Sequence, residues 1–208
     1  MTPRPRLLAL ALGALALAAP LSGCGGDDDG SDDTVLLHAG DFDDVSSIKA
    51  ASLGIAGSPW CQELVDVQDR LNTSTGHGER QPVGTDAVLG KATEVYAVVI
   101  TPGDLLATTD AMTKALDQAV TACEKRAATP RFEKMGVGIK PLQGLPYDAL
   151  GYRLTSGDGE TQDRAYAVTP DHRLLAVGSL HSVAGDPQVP VSRLLDLAMG
   201  RLDELGGD

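Results

Sequence analysis

An unbroken apolar run, Leu7–Ala19, follows Arg4 and Arg6 at the start of the chain and contains only Leu, Ala and Gly. It limits what the chain can fold into more than any other feature. A helix that packs on a globular core keeps a polar face, and this run has none. A membrane-spanning helix needs about 20 apolar residues, and the run falls short of that. A short positive segment followed by a brief apolar stretch is the pattern of an export signal. The fold is therefore expected to be built from the later residues, outside the cytoplasm.

The signal ends in Leu21-Ser22-Gly23-Cys24. A Leu, two small residues and a Cys in this position resemble the lipobox of bacterial lipoproteins. The resemblance implies that the Cys24 thiol, a nucleophile as its thiolate, receives a diacylglyceryl group. It also implies cleavage between Gly23 and Cys24, with acylation of the new amino group in many bacteria. One acyl chain binds a membrane only marginally, whereas two or more anchor stably. Residues 1–23 are thus expected to be a signal peptide, and residues 24–33 the lipidated Cys with a spacer. The stretch Gly25–Asp33 carries Asp27, Asp28, Asp29, Asp32 and Asp33 among Gly and Ser. It is too charged to fold, and nine extended residues reach roughly 30 Å. A calcium loop would need alternating ligands, a central Gly and a distal Glu, and that spacing is absent.

Removing residues 1–23 takes away two arginines and no acid, so the formal charge moves from −12 to −14 and 185 residues remain. Residues 34–208 are expected to form one domain, long enough to bury a real core. The acidity argues against nucleic acid, whose phosphates require basic surface, and against docking of the domain on anionic headgroups. The scarcity of Lys, Ile and Asn resembles the usage of high-GC genomes such as those of actinobacteria. With Cys24 assigned to lipid, Cys61 and Cys123 remain. Two cysteines in an exported domain usually pair; a reactive thiol pair or two metal ligands are the alternatives. No CxxC occurs and no His sits at metal spacing beside either Cys, so no metal or cofactor is expected.

Thr34–His38 reads as a first strand or lead-in, ended by a turn at Asp41, Asp43 and Asp44. Residues 59–71 carry a helical stripe of Trp60, Cys61, Leu64, Val65, Gln68 and Leu71 after a Ser58-Pro59 start. Residues 72–88 look loop-like. Thr93–Ile100 is rich in β-branched residues and reads as a buried strand. The Thr101-Pro102-Gly103-Asp104 cap pattern predicts a helix from there to about Arg126. Its inner face would hold Leu105, Met112, Leu116, Ala119, Val120 and Cys123. Strands follow at Ala149–Thr155, Asp163–Thr169 and Arg173–Ser179, separated by turn residues. A final helix runs from about Pro190 to Leu205 on Val191, Leu194, Leu195, Ala198, Leu202 and Leu205, with Gly206 after it. The order predicts an α+β fold, an antiparallel meander with helices packed on one face.

Cys61 on an early helix, a strand–helix unit ending in Cys123, a meander and a closing helix together resemble the extracellular sensor domain of mycobacterial PknH-type kinases and related sensor-domain lipoproteins. The resemblance covers roughly residues 34–208 and carries over no functional residue. It implies a domain that binds a ligand or partner.

Among the histidines, His38, His77, His172 and His181, none has a metalloprotease spacing. Ser179 and Ser182 flank His181 without a nucleophile elbow, and Glu160 and Asp163 flank a hairpin. The expectation is a non-catalytic domain on the extracytoplasmic face of the cell membrane. Its partner would be an envelope protein or a small hydrophobic ligand. A lipid or glycolipid carrier is the alternative, with Phe42, Trp60, Tyr96, Phe132, Tyr147, Tyr152 and Tyr166 as the only aromatics to line a cavity.

Overall fold

The computed structural model describes residues 36–50, 60–74, 84–90, 93–103, 106–181 and 189–205. Gly23 and Cys24, the spacer, Ser58, Pro59, His77 and Ser182 lie outside the described residues.

The strand expected at 93–100 organises the molecule. In β3 (Thr93–Ile100) nearly every side chain is buried, on both faces, which only a central strand can achieve. It pairs antiparallel with β2 (Gly84–Leu89) on one side and with β7 (Leu174–His181) on the other. The complete sheet has seven antiparallel strands in the order β1-β2-β3-β7-β6-β5-β4. Here β1 is Val45–Ala50, β4 is Gly138–Pro141, β5 is Leu150–Thr155 and β6 is Thr161–Val168. Two meanders, β1-β2-β3 and β4-β5-β6-β7, meet where β3 lies beside β7.

The α+β class and the antiparallel sheet are as expected from the sequence. The placement of the helices on one face is corrected. Alternation along β3 sends Val98 and Ile100 to one face, where they join Leu64 and Leu71 of α1 (Gln62–Ser74) and Met112, Leu116 and Cys123 of α2 (Thr109–Ala127). It sends Val95, Ala97 and Val99 to the opposite face, under Leu194, Leu195 and Ala198 of α4 (Val191–Leu205). A sheet apolar on both sides must be covered on both sides, and α4 covers the second.

Three strands were not anticipated. β1 has two serines and a half-exposed Ile48, as suits an edge strand. β2 does alternate, with Thr85, Ala87 and Leu89 buried, but Gly84 and Asp86 give it the composition of a loop. β4 is four residues long and buries only Ile139. Thr34–His38 is not a strand where it is described; Leu36 and Leu37 are buried and a 3-10 turn follows at Ala39–Asp41. α2 starts later than the Thr101 cap pattern implies. Thr108 accepts from the Ala111 N–H at 3.1 Å and caps the helix instead. Upstream, the Leu106 N–H donates to the Gly103 carbonyl, and Leu106 joins the core. A short helix, α3 (Pro130–Glu133), and a 3-10 turn at Pro146–Asp148 complete the chain.

The described N-terminal strap is fastened to both β2 and α4. The Leu36 and Leu37 N–H groups donate to Thr85 Oγ1. Arg201 forks onto the Asp41 carboxylate at 2.8 and 2.6 Å and donates to the Leu36 carbonyl, while Arg193 donates to the Asp41 carbonyl.

Candidate functional site

The register of the sheet lines up one transverse row of residues, Tyr96 on β3, Gly178 on β7, Arg164 on β6 and Tyr152 on β5. All four sit on the face beneath α1 and α2, since Tyr96 and Tyr152 belong to that apolar layer. Arg164 is the largest fully buried side chain among the described residues. Its Nη2 donates to the Gln162 Oε1 at 2.8 Å, and Tyr152 lies directly across from it on β5. Tyr152 in turn shares a hydrogen bond with Tyr166 at 3.2 Å, their rings stacked with centroids 6.1 Å apart. From above, Gln68 of α1 donates its Nε2 to the Tyr152 hydroxyl at 3.2 Å.

Gly178 makes the row possible. A Cβ at this position would overlap the Tyr96 ring and stand 2.6 Å from its hydroxyl. With no side chain on β7, the Tyr96 ring lies across the strand toward Arg164. Burial works against the charge on Arg164, but the phenols of Tyr96, Tyr152 and Tyr166 outweigh it and hold the guanidinium protonated. Burial, followed by the proximity of Tyr166, pushes the Tyr152 hydroxyl well above the usual phenol range. The Tyr152 phenol therefore stays neutral and keeps its proton to donate. Gln68 is fully buried, and its Oε1 finds no hydrogen-bond partner among the described residues.

This cluster lies within an apolar layer closed by a cross-link. Cys61, just before α1, and Cys123 on α2 form a disulfide, with Cα atoms 5.6 Å apart. Of the two alternatives for these cysteines, metal ligation is geometrically near, since Glu63 lies close to both sulfurs. The bond between the sulfurs, however, leaves no thiolate to ligate. Glu63 pairs with Arg126 at the surface.

No family model, no curated protein and no solved structure matches the chain.

The opposite face brings together three residues that could be suspected of a serine triad. Ser179 lies directly across from Asp163, and His181 is two positions along the same strand. Their bonds are arranged otherwise. Arg153 takes both Asp163 oxygens, at 2.6 and 2.8 Å, and His181 Nδ1 lies 3.0 Å from Thr93 Oγ1. A triad needs the base bonded to both the nucleophile and the carboxylate, and neither contact is formed. Glu160 sits in the turn before β6, where its backbone N–H and carbonyl bond Asp158 and Ser156, while Asp163 pairs across to β5. His172 occupies an exposed turn at φ 60°. His38 caps the strap turn through its backbone N–H to Asp41.

Of the aromatics considered as cavity lining, Tyr96, Tyr152 and Tyr166 form the cluster. Trp60 pairs with Phe132 at 6.1 Å, Phe42 lies under Arg193, and Tyr147 is half-exposed. Sequence reasoning missed Arg164, Gln162 and Gly178. The signal present was the alternation Gln162, Arg164, Tyr166 against Asp163, Ala165, Ala167. Taken by itself, it favours the Ala side as the only buried face.

Proposed function

We propose that this protein is held at the outer face of the cytoplasmic membrane by lipid on Cys24, and that its folded part binds a ligand or partner without transforming it. The Arg164 cluster is the observation that carries the binding reading. Burying a guanidinium costs several kcal/mol before its hydrogen bonds offset the loss. An apolar filling of the same volume would hold α1 and α2 on the sheet at least as well. Stability alone therefore gives no reason to place an arginine, three phenols and two amides there, whereas recognition of a polar group does.

The anchor rests on the Leu21-Ser22-Gly23-Cys24 resemblance. No helix among the described residues is long and apolar enough to cross a membrane, so the lipid supplies the attachment in this reading. A carrier of lipid or glycolipid remains the second reading. It draws on the continuous apolar layer of Val98, Ile100, Leu116 and Leu154 that surrounds the polar cluster.

Metabolic labelling with radioactive palmitate tests the anchor. The wild-type protein is expected to take up label and to begin at Cys24, and Cys24→Ala to take up none. Unlabelled wild type, or equal labelling of the variant, would contradict it.

A further inference from the structure

We infer that the Arg164 cluster is a binding site for an oxyanion, a carboxylate or phosphate group, which enters when the Tyr96 ring swings off Gly178. The inference rests on the binding reading above and names the ligand class.

The cluster has a partly accessible edge and a buried interior. Tyr96 and Gln162 are half-buried, whereas Arg164, Tyr152 and Gln68 are fully buried. Tyr96 covers Gly178 with its ring alone, so a side-chain rotation uncovers the strand without moving the backbone. What is uncovered is a set of donors. The guanidinium is a planar fork whose geometry matches a carboxylate or phosphate edge. The Tyr152 and Tyr166 hydroxyls bond each other, and the single proton of Tyr166 can turn from Tyr152 toward an incoming oxygen.

Gln68 provides the second, independent pointer to a ligand. Its amide is fully buried, yet one end has no partner among the described residues, a condition that native structures rarely tolerate without a reason. Because amide O and N are interchangeable in assignment, the Gln68 amide can accept from Tyr152 and aim its NH2 at the anion. Binding then satisfies the orphaned group. The surrounding low dielectric strengthens each of these hydrogen bonds relative to water.

The test is a calorimetric titration of the whole mature chain with two probes, sodium dodecanoate below its micelle concentration and inorganic phosphate. One-site saturable binding of at least one probe is expected. Dodecanoate alone would place the oxyanion on an apolar body, and phosphate binding would indicate a free ion. Arg164→Met is expected to weaken binding at least tenfold, and Arg164→Lys, which keeps the charge and loses the fork, about tenfold. If the Met variant fails to fold, the Lys variant decides. Failure of folded wild type to bind either probe, or a folded variant that binds as tightly as wild type, would overturn the inference. A ligand from the envelope that carries no acidic group would overturn the oxyanion and leave the binding reading intact.

Discussion

Asp41 shows how one residue couples the strap to the fold. Burial raises its pKa, but the hydrogen bond from Arg201, with the His38 N–H behind it, wins and holds the carboxyl below the usual carboxylate range. A carboxylate depressed in the folded state stabilises the fold above its unfolded pKa, and that stability disappears as the pH falls through the folded value. Urea unfolding should therefore show wild type losing this contribution on going from about pH 4 to pH 2. Asp41→Asn is expected to be about 1–3 kcal/mol less stable at pH 7, with the gap narrowing at pH 2. Equal stability of the two proteins at pH 7 would remove the clamp from the account. None of this was legible in the sequence. Asp41 reads there as a turn residue beside Asp43 and Asp44, and its partner lies 160 positions away. The same separation of sequence and contact hid Arg164. An arginine in a strand reads as solvent-facing until the register sets it between Tyr152 and Gly178.

Among the elements, those with strong periodicity were legible, and those that depend on their neighbours were not. β3, α2 beyond its first turn, β5 to β7 and α4 announce themselves because each buries a long stripe of its own. β2 and β4 are strands because β3 and β5 offer them edges to pair with, and β1 because β2 in turn offers one; pairing compensates for weak local preference. The cross-link between the α1 and α2 regions belongs to this scale. Cys61 and Cys123 are 62 positions apart, and closing a loop of that length stabilises by about 4 kcal/mol in the chain-entropy model. Scanning calorimetry with and without reductant should show a fall in Tm of about 8–16 °C on reduction. Without reductant, alkylation of the unfolded chain should label neither cysteine. An unchanged Tm would mean that packing alone holds the two helices.

For the whole molecule, the α+β class followed from the order of elements, but the division of helices between two faces did not. The sequence shows that α4 has an apolar stripe; it does not show on which side of the sheet that stripe lies. Only the parity of β3, which sends Val95, Ala97 and Val99 away from α1 and α2, makes a second covering layer necessary. That arrangement leaves the α1–α2 layer free to enclose something other than pure hydrocarbon. A domain with a polar cluster in one of its two layers is what we propose as a receptor for a small acidic ligand. A native mass spectrum of the protein released in mild detergent from its own membranes tests that claim most directly. The account predicts a reproducible adduct of an acidic molecule on the disulfide-linked chain, absent from Arg164→Met. A bare mass in repeated preparations, or an adduct equally present on the variant, would contradict it.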